Sequence, residues 1–166
     1  MGYQQPATSS KKFYTPQQAQ EKISLYCAYQ ERSHKEVRNK LYSYGLHKAD
    51  VERILTKLIT GGFLNEERFA KAFAGGKFRI KKWGRNKIEH ELETFGITAK
   101  CIRKGLDEID EEDYRKTLKD LLTKRLLHSE EVNLFKKKEK IAGFVIGKGY
   151  EPALVWEMLK KIAEKE

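Results

Sequence analysis

Residues 77–87, KFRIKKWGRNK, place Lys77, Arg79, Lys81, Lys82, Arg85 and Lys87 together without one acidic residue. Ammonium and guanidinium groups at this density suit a phosphodiester backbone, where each contact releases a condensed counterion. Trp83, in their midst, offers a ring on which an unpaired base can stack. It also stands just before Gly84, where it can pack on Ile88 as the hydrophobic staple of a helix start, and this is the reading its position favours. A second basic run, Lys136, Lys137 and Lys138 with Lys140, is the other candidate for polyanion or partner contact. Runs of charge are more often solvated faces, so it ranks behind the first.

No comparable pattern points to catalysis. Gly75-Gly76-Lys77 is followed by Phe78 rather than Ser or Thr, and the stretch from Gly143 to Lys148 also lacks the spacing of a phosphate-cradling loop. His90-Glu91 would need a second histidine four residues after the first, where Thr94 stands. His34, His47, His90 and His128 are scattered without ligand spacing, and His47 is placed to cap a helix. The acidic run from Asp107 to Asp113 lacks the glycine bend of a calcium loop and reads as a solvated helix junction. Cys27 and Cys101 stand far apart, in no CxxC pair, and read as two buried thiols in a reducing cytoplasm. No catalytic residue, metal site or cofactor is assigned, and a binding protein is expected rather than an enzyme.

The composition says what must hold these charges. The chain has 166 residues, 39% of them apolar before its 12 glycines are counted. Charged residues make up 35%, against roughly 25% in compact domains. Such a chain folds, but with much surface for its core, which suits an elongated repeat protein better than a sphere. The net charge of +10, from 34 Lys and Arg against 24 Asp and Glu, favours a polyanionic partner. No apolar run approaches the roughly 18 residues needed to span a membrane. The start, MGYQQPATSSKK, lacks the apolar segment of a signal peptide, and Pro6 spoils a myristoylation pattern. A cytoplasmic monomer without a membrane role is expected.

Three glycines organise the chain. Gly45, Gly96 and Gly149 are separated by 51 and 53 residues. Eight and four residues before them stand Val37 and Leu41, Ile88 and Leu92, and Ile141 and Val145. Directly after them come Leu46, Ile97 and Tyr150, and six residues after them Val51, Ile102 and Val155. Identical offsets in three copies mark an internal repeat of stacked helical units. Glycine just past a helix end takes the left-handed conformation without a Cβ clash. The apolar residue after it packs back on the helix just ended and staples the one about to begin. Thr98 suits an N-cap and Pro152 a first helical turn.

A third helix precedes each pair. Thr15-Pro16-Gln17-Gln18 is a capping box with proline in the first turn, opening a helix with Ala19, Ile23 and Tyr26 on one face. Asn65 precedes Glu66 and Glu67, whose charges suit a helix N-terminus, and Phe69 and Phe73 face inward. Asp110 to Asp113 opens the last unit, through Tyr114, Leu118 and Leu122, and Ser33 with Glu36 forms another capping box. No segment alternates like a strand. The expected architecture is all-α: three tandem three-helix repeats at 15–64, 65–110 and 111–166, behind a flexible tail at 1–14. The third copy has a long connector and interior glycines at Gly143 and Gly147, which make its middle helix the most plastic.

The stretch GGFLNEERFAKAFAGGKFRIKKWGRNKIEHELETFGI, residues 61–97, resembles the signature region of the RecX family, bacterial regulators of the RecA recombinase. The likeness rests on Phe63-Leu64-Asn65-Glu66, Arg68-Phe69-Ala70, Lys77-Phe78-Arg79, Trp83-Gly84, and Ile88 and Leu92 before Gly96. The first copy, from Ser33 to Leu58, resembles that family's N-terminal repeat, and residues 139–162 its C-terminal one. The resemblance implies tandem three-helix repeats in a curved, elongated molecule. It also implies a role: lodging in the groove of the RecA–single-stranded DNA filament and limiting filament growth, ATP hydrolysis and strand exchange. The basic residues from 77 to 87 would then face DNA or an acidic recombinase surface. Two competing readings remain: a helix-turn-helix module reading duplex DNA, and a helical-repeat scaffold with a protein partner only.

Overall fold

Capping chemistry sets where the helices begin. The computed structural model describes residues 13–165, among which nine α-helices and no strand are found. The Thr15 hydroxyl accepts from the Gln18 N–H, and the Gln18 side chain returns the bond to Thr15, opening α1 (Pro16–Tyr29). Ser33 and Glu36 close the same box around the start of α2 (His34–Ser43). α3 (Lys48–Thr60) begins at His47, whose side chain makes no capping hydrogen bond, so the capping role expected of that histidine is not taken. These three helices enclose a core of Ala19, Ile23, Cys27, Val37, Leu41, Leu46, Val51, Ile54, Leu55, Leu58 and Leu64.

The second group is α4 (Glu66–Gly76), α5 (Arg85–Thr94) and α6 (Ala99–Leu106). The third is α7 (Glu111–His128), α8 (Leu134–Gly147) and α9 (Pro152–Glu164). The chain divides into two compact units, Met1–Asn65 and Glu66–Glu166, so the second and third groups fold together. They share one continuous core that runs from Phe69 to Leu159.

Each group turns at its glycine in the left-handed region: Gly45 at φ +84°, Gly96 at +75° and Gly149 at +105°. Gly96 donates to the Glu93 carbonyl at 2.9 Å and Ile97 to Leu92 at 3.2 Å. Gly149 donates to Ile146 at 2.9 Å and Tyr150 to Val145 at 3.5 Å. These are the paired bonds of a Schellman termination, which satisfy carbonyls the ending helix would leave orphaned. Leu46, Ile97 and Tyr150 are buried immediately after the turns. Gly62, at φ +77°, ends α3 in the same way.

Three details depart from the sequence expectation. The sequence groups Phe13 and Tyr14 with the flexible tail, the rest of which lies outside the described residues. Instead the Tyr14 N–H bonds the Tyr44 carbonyl at 3.0 Å, and its ring meets that of Tyr44 edge-on. The sequence carries the apolar pattern after Gly96 on through Leu106 to Ile109, but α6 stops at Leu106, because Asp110 already caps the next helix, and Ile109 is buried outside a helix. The long connector expected in the third group shortens to residues 129–133, since α7 continues to His128.

α4 and α6 cross at Gly105, where a Cβ would lie 2.7 Å from the Ala70 carbonyl oxygen. Gly105→Ala is expected to cost about 1–3 kcal/mol by forcing these helices apart. At Gly143, inside α8, a Cβ meets nothing within 4 Å. Gly143→Ala is therefore expected to stabilise by about 1 kcal/mol. Urea unfolding of both variants checks the pair, and equal midpoints would contradict it.

Candidate functional site

The basic segment does not form one uniform patch. After Gly75-Gly76, α4 widens into a π-helical turn, Lys77–Lys81, that closes at Lys82. The Lys82 N–H reaches the Phe78 carbonyl at 3.0 Å, and the Trp83 N–H reaches that of Lys77 at 3.3 Å. Phe78 points inward, its ring centroid 5.8 Å from that of Tyr114. The widened turn leaves Arg79, Lys81 and Lys82 exposed, with Ile80 78% exposed among them. Among the described residues, none of these three cations has a carboxylate partner.

Lys82 has φ +58° and ψ +35°, the one non-glycine residue with positive φ among those described. A Cβ in that region costs roughly 1–2 kcal/mol. The turn persists because the Tyr150 hydroxyl, from the third group, donates to the Lys82 carbonyl at 3.0 Å. Local π geometry and a strained residue together are the pattern found at functional positions.

Arg85 is committed elsewhere. Its guanidinium pairs with Glu111 and, at 3.2 Å, with Glu151, and lies over the Tyr114 ring at 3.8 Å. The Tyr114 hydroxyl donates to Glu151 at 2.5 Å and accepts the Arg85 backbone N–H at 3.1 Å. Burial, then the bond to Glu151, pushes the Tyr114 phenol far above its ordinary pKa. Gly84, the N-cap of α5, has no side chain to cap with. Its N–H instead reaches the Lys148 carbonyl at 2.8 Å, and that of Asn86 reaches Gly149 at 2.9 Å. A Cβ on Gly84 would lie 2.2 Å from the Gly149 carbonyl carbon. Arg85 therefore helps lock the second group to the third.

Trp83 is half-buried at the edge of the core, its ring centroid 6.4 Å from that of Phe73. Lys77 and Lys87 bring their ammonium groups to 5.1 and 4.4 Å from its centroid. The indole packs at the core edge with Phe73 as its ring partner, and its π surface is engaged by two cations of its own chain.

Lys136, Lys137 and Lys138 occupy the first two turns of α8, behind the Asn133 cap. Cations there oppose the helix dipole, whose positive end favours acids. Lys136 is exposed, Lys137 and Lys138 half-buried, and Lys140 pairs with Glu131 at 3.1 Å. Exposed Leu134 and Phe135 stand beside them. Among the described residues, no bond, ion pair or ring contact joins this run to the π turn.

Remaining candidates resolve into structural roles. The acidic run is divided: Asp110 caps α7, Glu111 pairs with Arg85 and Arg115, and Glu108 lies 3.7 Å from Lys71. No group of three metal-capable side chains occurs among the described residues. Burial pushes the Cys27 thiol up to about 11. Cys101, expected to be buried, is partly exposed, with Sγ 3.8 Å from Glu66. No described helix is long and apolar enough to cross a membrane.

Residues 65–106 match the family model described as the second three-helix domain of RecX. The regulatory protein RecX of Clostridium perfringens is 28% identical over 137 residues, which cover 81% of this chain and 64% of that protein. The chain thus spans less than two thirds of this relative's length. The regulatory protein RecX of Streptomyces lividans is 22% identical over 135 residues, 81% of this chain and 72% of the relative. The crystal structure of RecX from Lactobacillus salivarius superposes with a TM-score of 0.80 at 20% identity, covering 89% of this chain and 96% of that one. At that identity the likeness speaks for the fold.

The π-turn geometry makes two opposite predictions. Lys82→Gly is expected to stabilise by roughly 1 kcal/mol, because it removes a strained Cβ. Gly84→Ala is expected to destabilise by about 1–3 kcal/mol, because the methyl would separate two backbones in contact. Thermal unfolding followed by circular dichroism reads both signs.

Proposed function

The chain belongs to the RecX family of regulatory proteins, and from that premise we propose that it regulates a RecA-type recombinase. It binds in the groove of the filament that the recombinase forms on single-stranded DNA, and it limits filament growth, ATP hydrolysis and strand exchange. It acts as a monomer in the cytoplasm, without a cofactor.

The observation that carries this reading is the π turn, which holds Arg79, Lys81 and Lys82 exposed inside the segment matching the family's second domain. A turn so strained, pinned from the neighbouring group by Tyr150, presents its cations in a fixed place. Fixed cations lose less freedom on meeting an anionic surface than mobile ones do. Lys136, Lys137 and Lys138 supply a second contact, and two modest contacts on one compact unit reinforce each other.

Arg85, Trp83 and Lys77 serve this role indirectly, by supporting the turn. A fair test leaves them in place. Arg79→Glu, Lys81→Glu and Lys82→Glu combined are expected to weaken binding to recombinase-coated strand at least tenfold. Inhibition of ATP turnover should fall with it, at unchanged helical content. Binding is compared on coated strand, naked strand and naked duplex at two salt concentrations. Tight binding to bare duplex without any effect on turnover would favour a helix-turn-helix DNA reader. Affinity for recombinase indifferent to salt would favour a scaffold.

A further inference from the structure

Between α7 and α8 lies a cleft of about 260 Å³, lined by Leu121, Lys124, Arg125, His128, Phe144 and Lys148. A second hollow, of about 170 Å³, shares Arg125, His128 and Phe144 with it. No carboxylate lines either one. The Arg125 guanidinium lies over the Phe144 ring at 3.4 Å, and the Lys148 ammonium stands 5.8 Å from the same centroid. Stacked in this way, Arg125 keeps its N–H edges available for an oxyanion. Among the described residues, neither it nor Lys124, Lys87 or Lys148 has a carboxylate partner.

Arg38, Lys104 and Arg85 meet carboxylates, at Glu52, at Glu67 and at Glu111 with Glu151. In the cleft, like charges crowd one another instead. The half-buried Lys148 amine is shifted down, first by burial and then by repulsion from Arg125 and Lys87. Lys87 in turn lies 4.4 Å from the Trp83 ring, so two aromatic rings stand among the cations from Trp83 to Arg125. Positive charge with interleaved aromatic faces suits a single strand, whose bases are free to stack. Phe144 is 40% exposed at a position off the buried stripe of Ile141, Ala142 and Val145.

We propose that the α7–α8 cleft binds the phosphodiester backbone of single-stranded nucleic acid. Arg125 and Lys148 meet phosphate oxygens, Lys124 and Lys87 flank them, and Phe144 supports a base or sugar. This deepens the regulatory reading, on which its choice of a single strand rests, by giving the chain a strand contact of its own.

The test uses the full chain and a fluorescein-labelled oligothymidylate, with anisotropy read across a salt series. The double variant Arg125→Gln, Lys148→Gln is expected to bind about tenfold more weakly or worse. Its salt slope should be shallower by roughly one to one and a half, since each single-strand phosphate left unneutralised removes about 0.7 from it. Phe144→Leu should weaken binding at least about fivefold. Lys148→Gln alone should melt no lower than the parent, since it relieves repulsion, and so separates a binding defect from a folding defect. Oligouridylate should depend on the same residues, because the shared backbone is what is read.

Unchanged affinity and slope in the double variant would overturn the assignment. So would displacement of the strand by inorganic phosphate at a matching phosphate concentration, which marks a free-anion site. A double variant that binds naked strand normally but no longer restrains recombinase ATP turnover would place an acidic protein in the cleft. That too removes this inference, while leaving the regulatory reading standing. The converse result, strand binding abolished as expected from a parent that never affects turnover, would remove the regulatory reading and keep this one.

Discussion

The second unit depends on one arrangement of backbone at the start of α5. A helix begins with N–H groups that have no intrahelical partner and ends with carbonyls in the same position. Here the two deficits are set against each other. The N–H groups of Gly84 and Asn86 take the carbonyls of Lys148 and Gly149, at the end of α8. The partial positive end of one helix thereby meets the partial negative end of another. Contact this close requires glycine on both sides: a Cβ at Gly84 would strike Gly149, and one at Gly149 would come within 2.4 Å of the Lys87 Cβ. Tyr114, Tyr150, Arg85, Glu111 and Glu151 then enclose the joint with hydrogen bonds and ion pairs. The π turn and its exposed lysines hang from that joint through the Lys82 carbonyl.

This joint explains a difference between the copies. Twelve residues before each turn glycine the first copy has Ser33, which caps its own helix, and the second has Gly84, which cannot. The local cap is dispensable where a neighbouring helix end supplies the acceptors. A serine at that position would recover a local hydrogen bond but push the two backbones apart. The groups α4–α6 and α7–α9 consequently share a core, while α1–α3 closes around its own.

Much of the fold was legible because it is written in short-range chemistry. The positive φ of Gly45, Gly96 and Gly149, the boxes at Thr15 and Ser33, and the cap at Thr98 each follow from a few neighbouring residues. The candidate site was harder to read, because its residues are sorted by partners distant in sequence. Arg85 and Lys81 look alike in a run of cations, yet one meets carboxylates 26 and 66 positions away and the other meets none. The π turn was hidden for a related reason: Lys82 tolerates its backbone only because Tyr150 holds its carbonyl. Phe144 did carry a signal, as an aromatic residue off the apolar stripe of its helix. Arg125 and Lys148 carried none, since nothing local says that they share its ring.

Three places where local preference and structure disagree fall on exposed or half-buried cations of the second unit. Lys82 sits in a glycine conformation, Lys136 to Lys138 crowd the wrong end of a helix dipole, and Lys148 is pressed against other positive charges. A sequence under selection for stability alone would relieve each of these with a single substitution. Small conflicts of this kind are retained where they serve something outside the fold. All three become favourable under one condition, the arrival of negative charge. An anion would offset the dipole at α8 and the repulsion at Lys148, and would use the fixed position of Lys82. Among its described residues the first unit has none in the left-handed region other than glycine, and it pairs Arg38 and Arg53 with carboxylates. These conflicts therefore gather in the unit whose two groups share one core.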